Sequence, residues 1–138
     1  MTGPDFLDTN VLVYAYVPRD QRKQEIARAI LRRALAGGGA ASTQVLSEFA
    51  WTFLHKLSPP AQPEDLLQLL DILTPMRLVP LDHGTVRRAI QARAVYGIHI
   101  YDGMIVAAAE RGGCGRILSE DLNAGQKYFQ IPVENPFV

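Results

Sequence analysis

Four carboxylates fall at the ends of predicted secondary-structure elements, a placement that could support chemistry. Asp8 ends a short apolar strand, and Asp121 comes just after a later strand. Asp102 opens a very apolar helix, and Glu48 lies little more than one turn into another helix. Because ligands of α/β sheets bind beyond the carboxyl ends of the strands, we expect these four acids to gather at that edge.

A length estimate supports bringing Asp102 to the same edge as Asp121. About ten helical residues rise roughly 15 Å, and the strand of four or five residues that follows returns about 13 to 17 Å. The chain therefore comes back level with the start of the helix, and the strand end that precedes Asp121 is expected beside Asp102.

An all-carboxylate cluster predicts a particular kind of cation. Clustered acids repel one another, so they need a compensating cation or raised pKa values. Magnesium prefers hard oxygen ligands and keeps several waters, and manganese tolerates the same ligands. His55, His83 and His99 lack zinc-ligand spacing, and Cys114 is the single cysteine, which argues against zinc. Such a Mg²⁺ or Mn²⁺ site could activate water for phosphodiester hydrolysis.

Polar neighbours of these acids are candidates for orienting them or for positioning water. They are Thr9, Asn10, Ser42, Thr43 and Ser119. Glu120 directly precedes Asp121 and competes with it as a ligand, and we favour Asp121. Taken singly, an aspartate at a strand end or helix start is commonly only a helix cap, so the hypothesis depends on the combination of acids.

Strands alternate with helices along the chain. Predicted strands cover residues 5–8, 40–42, 77–81 and 116–119, and predicted helices cover residues 11–16, 20–35, 45–54, 66–73, 82–96 and 101–111. Residues 131–133 are predicted to form a short fifth strand at a sheet edge, because Pro132 cannot donate to the ladder. The alternation predicts an α/β fold, a three-layer sandwich with a central parallel sheet of four to five short strands.

The bulk composition is that of an ordinary globular protein. With 138 residues, the chain fits one domain over residues 1–138. Fourteen basic and fourteen acidic residues cancel, so a nucleic-acid partner would need a local basic patch. The densest basic run, residues 19–33, is ordinarily a solvated helix face. A single cysteine and no apparent leader favour a cytoplasmic location, and no apolar stretch approaches the roughly 20 residues of a membrane span.

Four segments together resemble proteins of the PIN-domain family, most closely VapC-type toxins. They are residues 6–14, 44–49, 101–109 and 118–126, in the family's order and at suitable spacing. The resemblance implies a PIN fold and a Mg²⁺- or Mn²⁺-dependent endoribonuclease whose acidic quartet is Asp8, Glu48, Asp102 and Asp121. It also implies a toxin inhibited by a cognate antitoxin protein that lies against the active-site groove, and a homodimer.

One residue departs from the family pattern. Gly103 stands where many relatives carry alanine, which should loosen the start of its helix without removing a ligand. Aromatic and apolar residues near Glu48 are expected in the core, although some could line a groove for the antitoxin. They are Phe49, Trp51, Phe53 and Leu54.

Two rival functions remain open at the level of sequence. A phosphotransfer enzyme or receiver module is disfavoured, because Asn10 stands where haloacid-type phosphohydrolases carry a second aspartate. Residues 37–39 are glycines but follow a helix, so they are a poor phosphate loop. The other rival is a catalytically inactive PIN-fold module that binds RNA or protein, and four intact acids count against it.

Overall fold

Six short strands form the central sheet of the molecule, whose computed structural model describes residues 2–138. The strands are β1 (Asp5–Leu7), β2 (Gly39–Ser42), β3 (Arg77–Val79), β4 (Arg116–Leu118), β5 (Lys127–Tyr128) and β6 (Ile131–Glu134). Their order is β3-β2-β1-β4-β6-β5, and the pairings are parallel except for the antiparallel pair of β5 with β6.

Six α-helices connect and flank these strands. They are α1 (Thr9–Tyr16), α2 (Gln21–Arg33), α3 (Thr43–His55), α4 (Pro63–Ile72), α5 (His83–Tyr96) and α6 (Ile100–Arg111). The α/β class predicted from the sequence is confirmed. The sheet has six strands rather than the four to five predicted, because a two-residue strand such as β5 leaves no periodic pattern to read.

The predicted edge position of residues 131–133 is wrong. Strand β6 lies between β4 and β5, since β5 folds back on it through a turn in which Phe129 and Gln130 both have positive φ. Pro132 is tolerated inside the sheet because the pairing of β6 with β4 begins only at Val133. On the other side, Val133 rather than Pro132 donates the backbone hydrogen bond toward β5, to the Gln126 carbonyl (3.0 Å). The edge is thus β5, not the proline-containing strand.

Caps and one glycine set the helix ends near the second strand. A π-helical turn, Ala34–Gly38, follows α2, and Gly37 with φ of 111° ends it before β2. Ser42 is the N-cap of α3 and accepts a hydrogen bond from the Val45 N–H (3.3 Å). The hydroxyl oxygen of the next residue, Thr43, accepts a hydrogen bond from the backbone N–H of Leu81 (3.0 Å).

The apolar helix α6 packs closely against α5. Its residues Ile105, Val106, Ala107, Ala108 and Ala109 are all buried, as the sequence indicated. Gly103 is buried as well, and a Cβ there would lie 2.6 Å from the Ala89 carbonyl oxygen of α5. The glycine therefore permits the close approach of α6 to α5. The sequence had indicated only a looser helix start at Gly103 and not this packing role.

No helix within residues 2–138 is long and apolar enough to span a bilayer.

Candidate active site

The strand order reverses at the centre of the sheet, between β1 and β4. From β1 the chain moves outward through β2 to β3, and it returns to β4 on the other side of β1. In open parallel sheets the crevice at such a switch point is where ligands bind. Asp8 directly follows β1, and Asp121 lies three residues beyond the end of β4. Two of the predicted site residues are therefore at the switch point.

All four predicted acids line one cavity of about 550 Å³ at this edge. Asp8, Glu48, Asp102 and Asp121 are joined there by Thr9 and Asn10. The expected convergence is thus present in the geometry. Ser42 and Thr43 are not among the described residues that line the cavity, so the structure does not bring these two candidates to the acids.

Asp8 is the most buried of the four acids, with 8% of its surface exposed. It is the N-cap of α1 and accepts hydrogen bonds from the Thr9 N–H and the Ser119 hydroxyl, each at 2.7 Å. Burial raises the pKa of this carboxyl to about 6. The two hydrogen bonds oppose that rise, and repulsion from Glu48 and Asp121 adds to it.

Ser119 is fully buried and organises the loop after β4. Its hydroxyl donates to Asp8 and accepts hydrogen bonds from the backbone N–H groups of Asp121 (3.1 Å) and Leu122 (3.2 Å). One side chain therefore ties the Asp8 carboxylate to the backbone that carries Asp121. This is the placement expected for a group that orients the acids.

Thr9 and Asn10, in the first turn of α1, each hold another acid. The Thr9 hydroxyl donates to a Glu48 carboxylate oxygen (2.7 Å), and the Asn10 amide donates to an Asp121 carboxylate oxygen (3.1 Å). The Asn10 carbonyl oxygen also accepts from the backbone N–H of Glu120 (3.2 Å). The sequence placed both residues near the acids, and the structure supplies the contacts.

Asp102 lies half-buried in the first turn of α6. Burial raises the pKa of its carboxyl, His99 opposes that rise, and Asp121 adds repulsion. Gln44 of α3 donates its side-chain amide to the Tyr101 carbonyl (3.1 Å), which links α3 to the start of α6. The Gln44 amide oxygen is buried without a hydrogen-bond partner among the described residues. Sequence reading did not select Gln44.

Glu120, the competitor of Asp121, takes part in a separate ion pair outside the cavity. Glu120 accepts from the Lys23 ammonium (2.5 Å) and the Tyr14 hydroxyl (2.8 Å), and it does not line the cavity. Partial burial would raise the pKa of Glu120, but these two hydrogen bonds lower it overall. Asp121, by contrast, is exposed to the cavity, so it is the acid available to a ligand.

Several cavity residues were not selected from the sequence as site residues. They are Val13, Tyr14, Arg19, Gln44, Trp51, Thr52, Lys56, Tyr101 and Ile105. The expectation that Trp51 and Leu54 lie in the core is wrong, since both are exposed, whereas Phe49 and Phe53 are buried as predicted. A helical projection would have separated them, because Trp51 is about 200° around α3 from Phe49.

The donor set suits a hard cation that keeps part of its water shell. No group of three or more His, Cys, Asp or Glu side chains within residues 2–138 is arranged closely enough to hold a metal ion directly. Magnesium, however, is commonly bound through only one or two carboxylates with several waters retained. The repulsion that Asp8 receives from Glu48 and Asp121 is the kind that such a cation relieves.

The PIN-domain family model matches residues 6–129, a span that contains all four acids. The chain therefore belongs to the PIN-domain family. Its fold is similar to those of solved toxin–antitoxin proteins, although no curated protein matches its sequence significantly.

Three solved structures illustrate the likeness of fold. FitAB bound to an IR36 DNA fragment is 21% identical with a TM-score of 0.69, covering 97% of this chain and 96% of that one. A toxin–antitoxin complex from Klebsiella pneumoniae is 16% identical with a TM-score of 0.70, covering 96% and 97%. VapC20 of Mycobacterium tuberculosis, described as a sarcin–ricin loop cleaving toxin, is 17% identical with a TM-score of 0.65, covering 85% and 91%.

Proposed function

We propose that this PIN-domain protein is a Mg²⁺- or Mn²⁺-dependent endoribonuclease that acts as the toxin of a toxin–antitoxin pair. The observation that carries the proposal is the convergence of Asp8, Glu48, Asp102 and Asp121 on one cavity at the switch point of the sheet. Asp8 is the most buried of these acids, and its carboxylate accepts hydrogen bonds from Ser119 and Thr9.

The charge of the cavity supports a need for divalent cations. Four carboxylates face two basic side chains, Arg19 and Lys56, so its formal charge is negative when the acids are ionised. A phosphodiester would be repelled by such a surface in the absence of a compensating charge. One or two divalent cations would neutralise or reverse that charge, which makes RNA binding conditional on the cation.

The four acids have different roles in the proposed cation site. Asp8 and Asp102 are the partly or fully buried acids and would anchor the cation, whereas the exposed Glu48 and Asp121 would hold its waters and face the substrate. A bound cation of this kind lowers the pKa of its water and stabilises charge on the transferring phosphate. Thr9 and Asn10 keep Glu48 and Asp121 oriented through their hydrogen bonds.

The similar structures favour the toxin role and the RNA substrate. The structure from Klebsiella pneumoniae is a toxin–antitoxin complex, and VapC20 is described as a sarcin–ricin loop cleaving toxin. We extend these properties to this chain as part of the proposal, with an antitoxin as the protein partner. A homodimer remains a prediction from the family resemblance.

Cleavage of a mixed pool of structured RNAs by the purified protein tests this function. Cutting is expected with Mg²⁺ or Mn²⁺ and not with EDTA. Asp102→Asn should lower the rate about 100-fold or more, the scale on which losing a group that stabilises transition-state charge slows catalysis. Asp71→Asn, which neutralises an exposed acid on α4 outside the cavity, is the matched control and should cut normally.

Two results would contradict the proposal. Cutting that persists in Asp102→Asn, or in EDTA, would show that the acids or the cation are not required. If folded wild-type protein that is free of antitoxin cuts no RNA with any cation, the inactive binding module becomes the better account.

A further inference from the structure

Two large aromatic side chains lie exposed at the acidic cavity. Trp51 is 52% exposed and Tyr101 is 58% exposed, and both line the cavity. Trp51 is on α3, three residues and about one turn after Glu48, and Tyr101 directly precedes Asp102 on α6. Each exposed ring is therefore held beside one of the proposed catalytic acids.

Neighbouring groups support both rings without covering them. The His55 ring lies 5.6 Å from the Trp51 ring, and the Lys56 ammonium lies 5.2 Å from the indole centroid. Tyr101 is stacked on His99, with centroids 5.4 Å apart and an angle of 27° between the planes. Such contacts restrict the rotamers of the aromatic rings, while about half of each side chain stays accessible to a ligand.

The two basic residues of the cavity are free to meet an anion. Arg19 and Lys56 are exposed, and neither forms a salt bridge with another residue in the described part of the chain. Cations interleaved with aromatic faces match the alternation of phosphates and bases along a single strand.

We propose that Trp51 and Tyr101 are nucleobase-stacking subsites and that Lys56 and Arg19 contact the phosphates of the same single-stranded RNA segment. This assignment rests on the proposed nuclease function and identifies the side chains that would bind the bases and phosphates of its substrate. Bases in a duplex are already stacked on one another and cannot reach the rings, whereas bases in loops and single strands can be splayed out onto them.

Trp51 is the only tryptophan in the chain, so its fluorescence reports directly on this subsite. The probe is a short mixed-sequence single-stranded RNA, compared with the same strand annealed to its complement. Binding is measured with Mg²⁺ in an Asp121→Asn background, which keeps the strand intact. We expect saturable quenching by the single strand and much weaker quenching by the duplex.

Further variants, made in the same Asp121→Asn background, test whether base stacking contributes to RNA binding. Their affinity is measured by the fluorescence anisotropy of a labelled RNA strand. Trp51→Ala should weaken binding about 5- to 100-fold, as expected from loss of one base–aromatic stack. Trp51→Phe should retain affinity within about threefold because it keeps a ring. Leu67→Ala, an exposed apolar residue on α4 (61% exposed) outside the cavity, is the matched control and should not change binding.

The salt dependence tests the phosphate contact independently. Lys56→Gln should reduce the slope of log affinity against log salt by about 0.7, the contribution of one phosphate contact on a single strand. An unchanged slope would overturn the assignment of Lys56.

Failure of this inference is distinguishable from failure of the nuclease proposal. Metal-dependent RNA cleavage with no quenching, and with Trp51→Ala binding like the parent, would overturn the stacking subsite and leave the nuclease intact. That result would make the exposed indole available to a protein partner instead. Quenching by single-stranded RNA without cleavage under any cation would support the subsite and refute the nuclease.

Discussion

Replacing Asp8 with asparagine should make the metal-free protein more stable near neutral pH, although it removes a proposed catalytic residue. Burial raises the pKa of Asp8 from 3.8 to about 6, so ionising this carboxyl in the folded protein costs free energy. A rise of about two pKa units corresponds to about 3 kcal/mol. Asparagine cannot ionise and therefore avoids this cost.

The free-energy cost of ionising Asp8 in the folded protein depends on pH over a defined range. Because the folded pKa lies above the unfolded one, the folded protein keeps a proton that the unfolded chain releases. The penalty is absent below about pH 4, grows as the pH rises to about 6, and is complete above that. The stability gained by Asp8→Asn should therefore increase by about 3 kcal/mol between about pH 4 and pH 8.

The hydrogen bonds of Asp8 reduce the net gain. The carboxylate accepts from both the Thr9 N–H and the Ser119 hydroxyl, and an asparagine oxygen can replace only one of these acceptors. The amide would also face the Ser119 oxygen, which already accepts two backbone N–H groups. Subtracting about 1 kcal/mol for this mismatch leaves a gain of about 2 kcal/mol near pH 8 and a small loss near pH 4.

Urea denaturation in EDTA across this pH range measures the effect. Asp71→Asn is the control and should change the free energy of unfolding by less than about 0.5 kcal/mol at every pH. Added Mg²⁺ should shrink the advantage of Asp8→Asn, because a cation that binds the ionised wild type stabilises it. A difference between wild type and Asp8→Asn that does not vary with pH would refute the reasoning about burial.

Further substitutions test the helix packing and the choice between two neighbouring acids. Gly103→Ala should lower the free energy of unfolding by about 1 to 3 kcal/mol, because its Cβ would overlap the Ala89 carbonyl oxygen. Unchanged stability in a denaturant titration would show that α5 and α6 separate freely. Glu120→Gln should cleave RNA at a rate within about threefold of wild type, whereas Asp121→Asn should lower the cleavage rate about 100-fold. The reverse order of rates would show that the wrong neighbour was chosen.

The sequence was sufficient to predict where the acids meet. A strand ending in Asp8 and a helix opening with Asp102 are local patterns. The rise of that helix, compared with the rise of the strand after it, placed Asp102 level with Asp121. The strand reversal that makes this edge a switch point then follows from topology. These features are predictable because each depends on short, regular stretches of chain.

The hydrogen bonds that orient the acids were not predictable from such patterns. The Ser119–Asp8 hydrogen bond joins residues that are 111 positions apart in the sequence, and the Thr9–Glu48 hydrogen bond joins residues that are 39 positions apart. No local pattern encodes these pairings, which depend on side-chain rotamers in the folded state. The exposure of Trp51, in contrast, could have been read from its angular position on α3, opposite the buried Phe49.

Direct measurement of Mn²⁺ binding tests the claim that these carboxylates form a cation site most directly, because it requires neither a known RNA nor turnover. Electron paramagnetic resonance of free Mn²⁺, titrated with purified protein, should show binding that Mg²⁺ displaces. Asp8→Asn and Asp102→Asn, if folded, should weaken it about 10-fold or more, while Asp71→Asn binds normally. Equal binding by wild type and both site variants, or no binding by the wild type, would contradict the account.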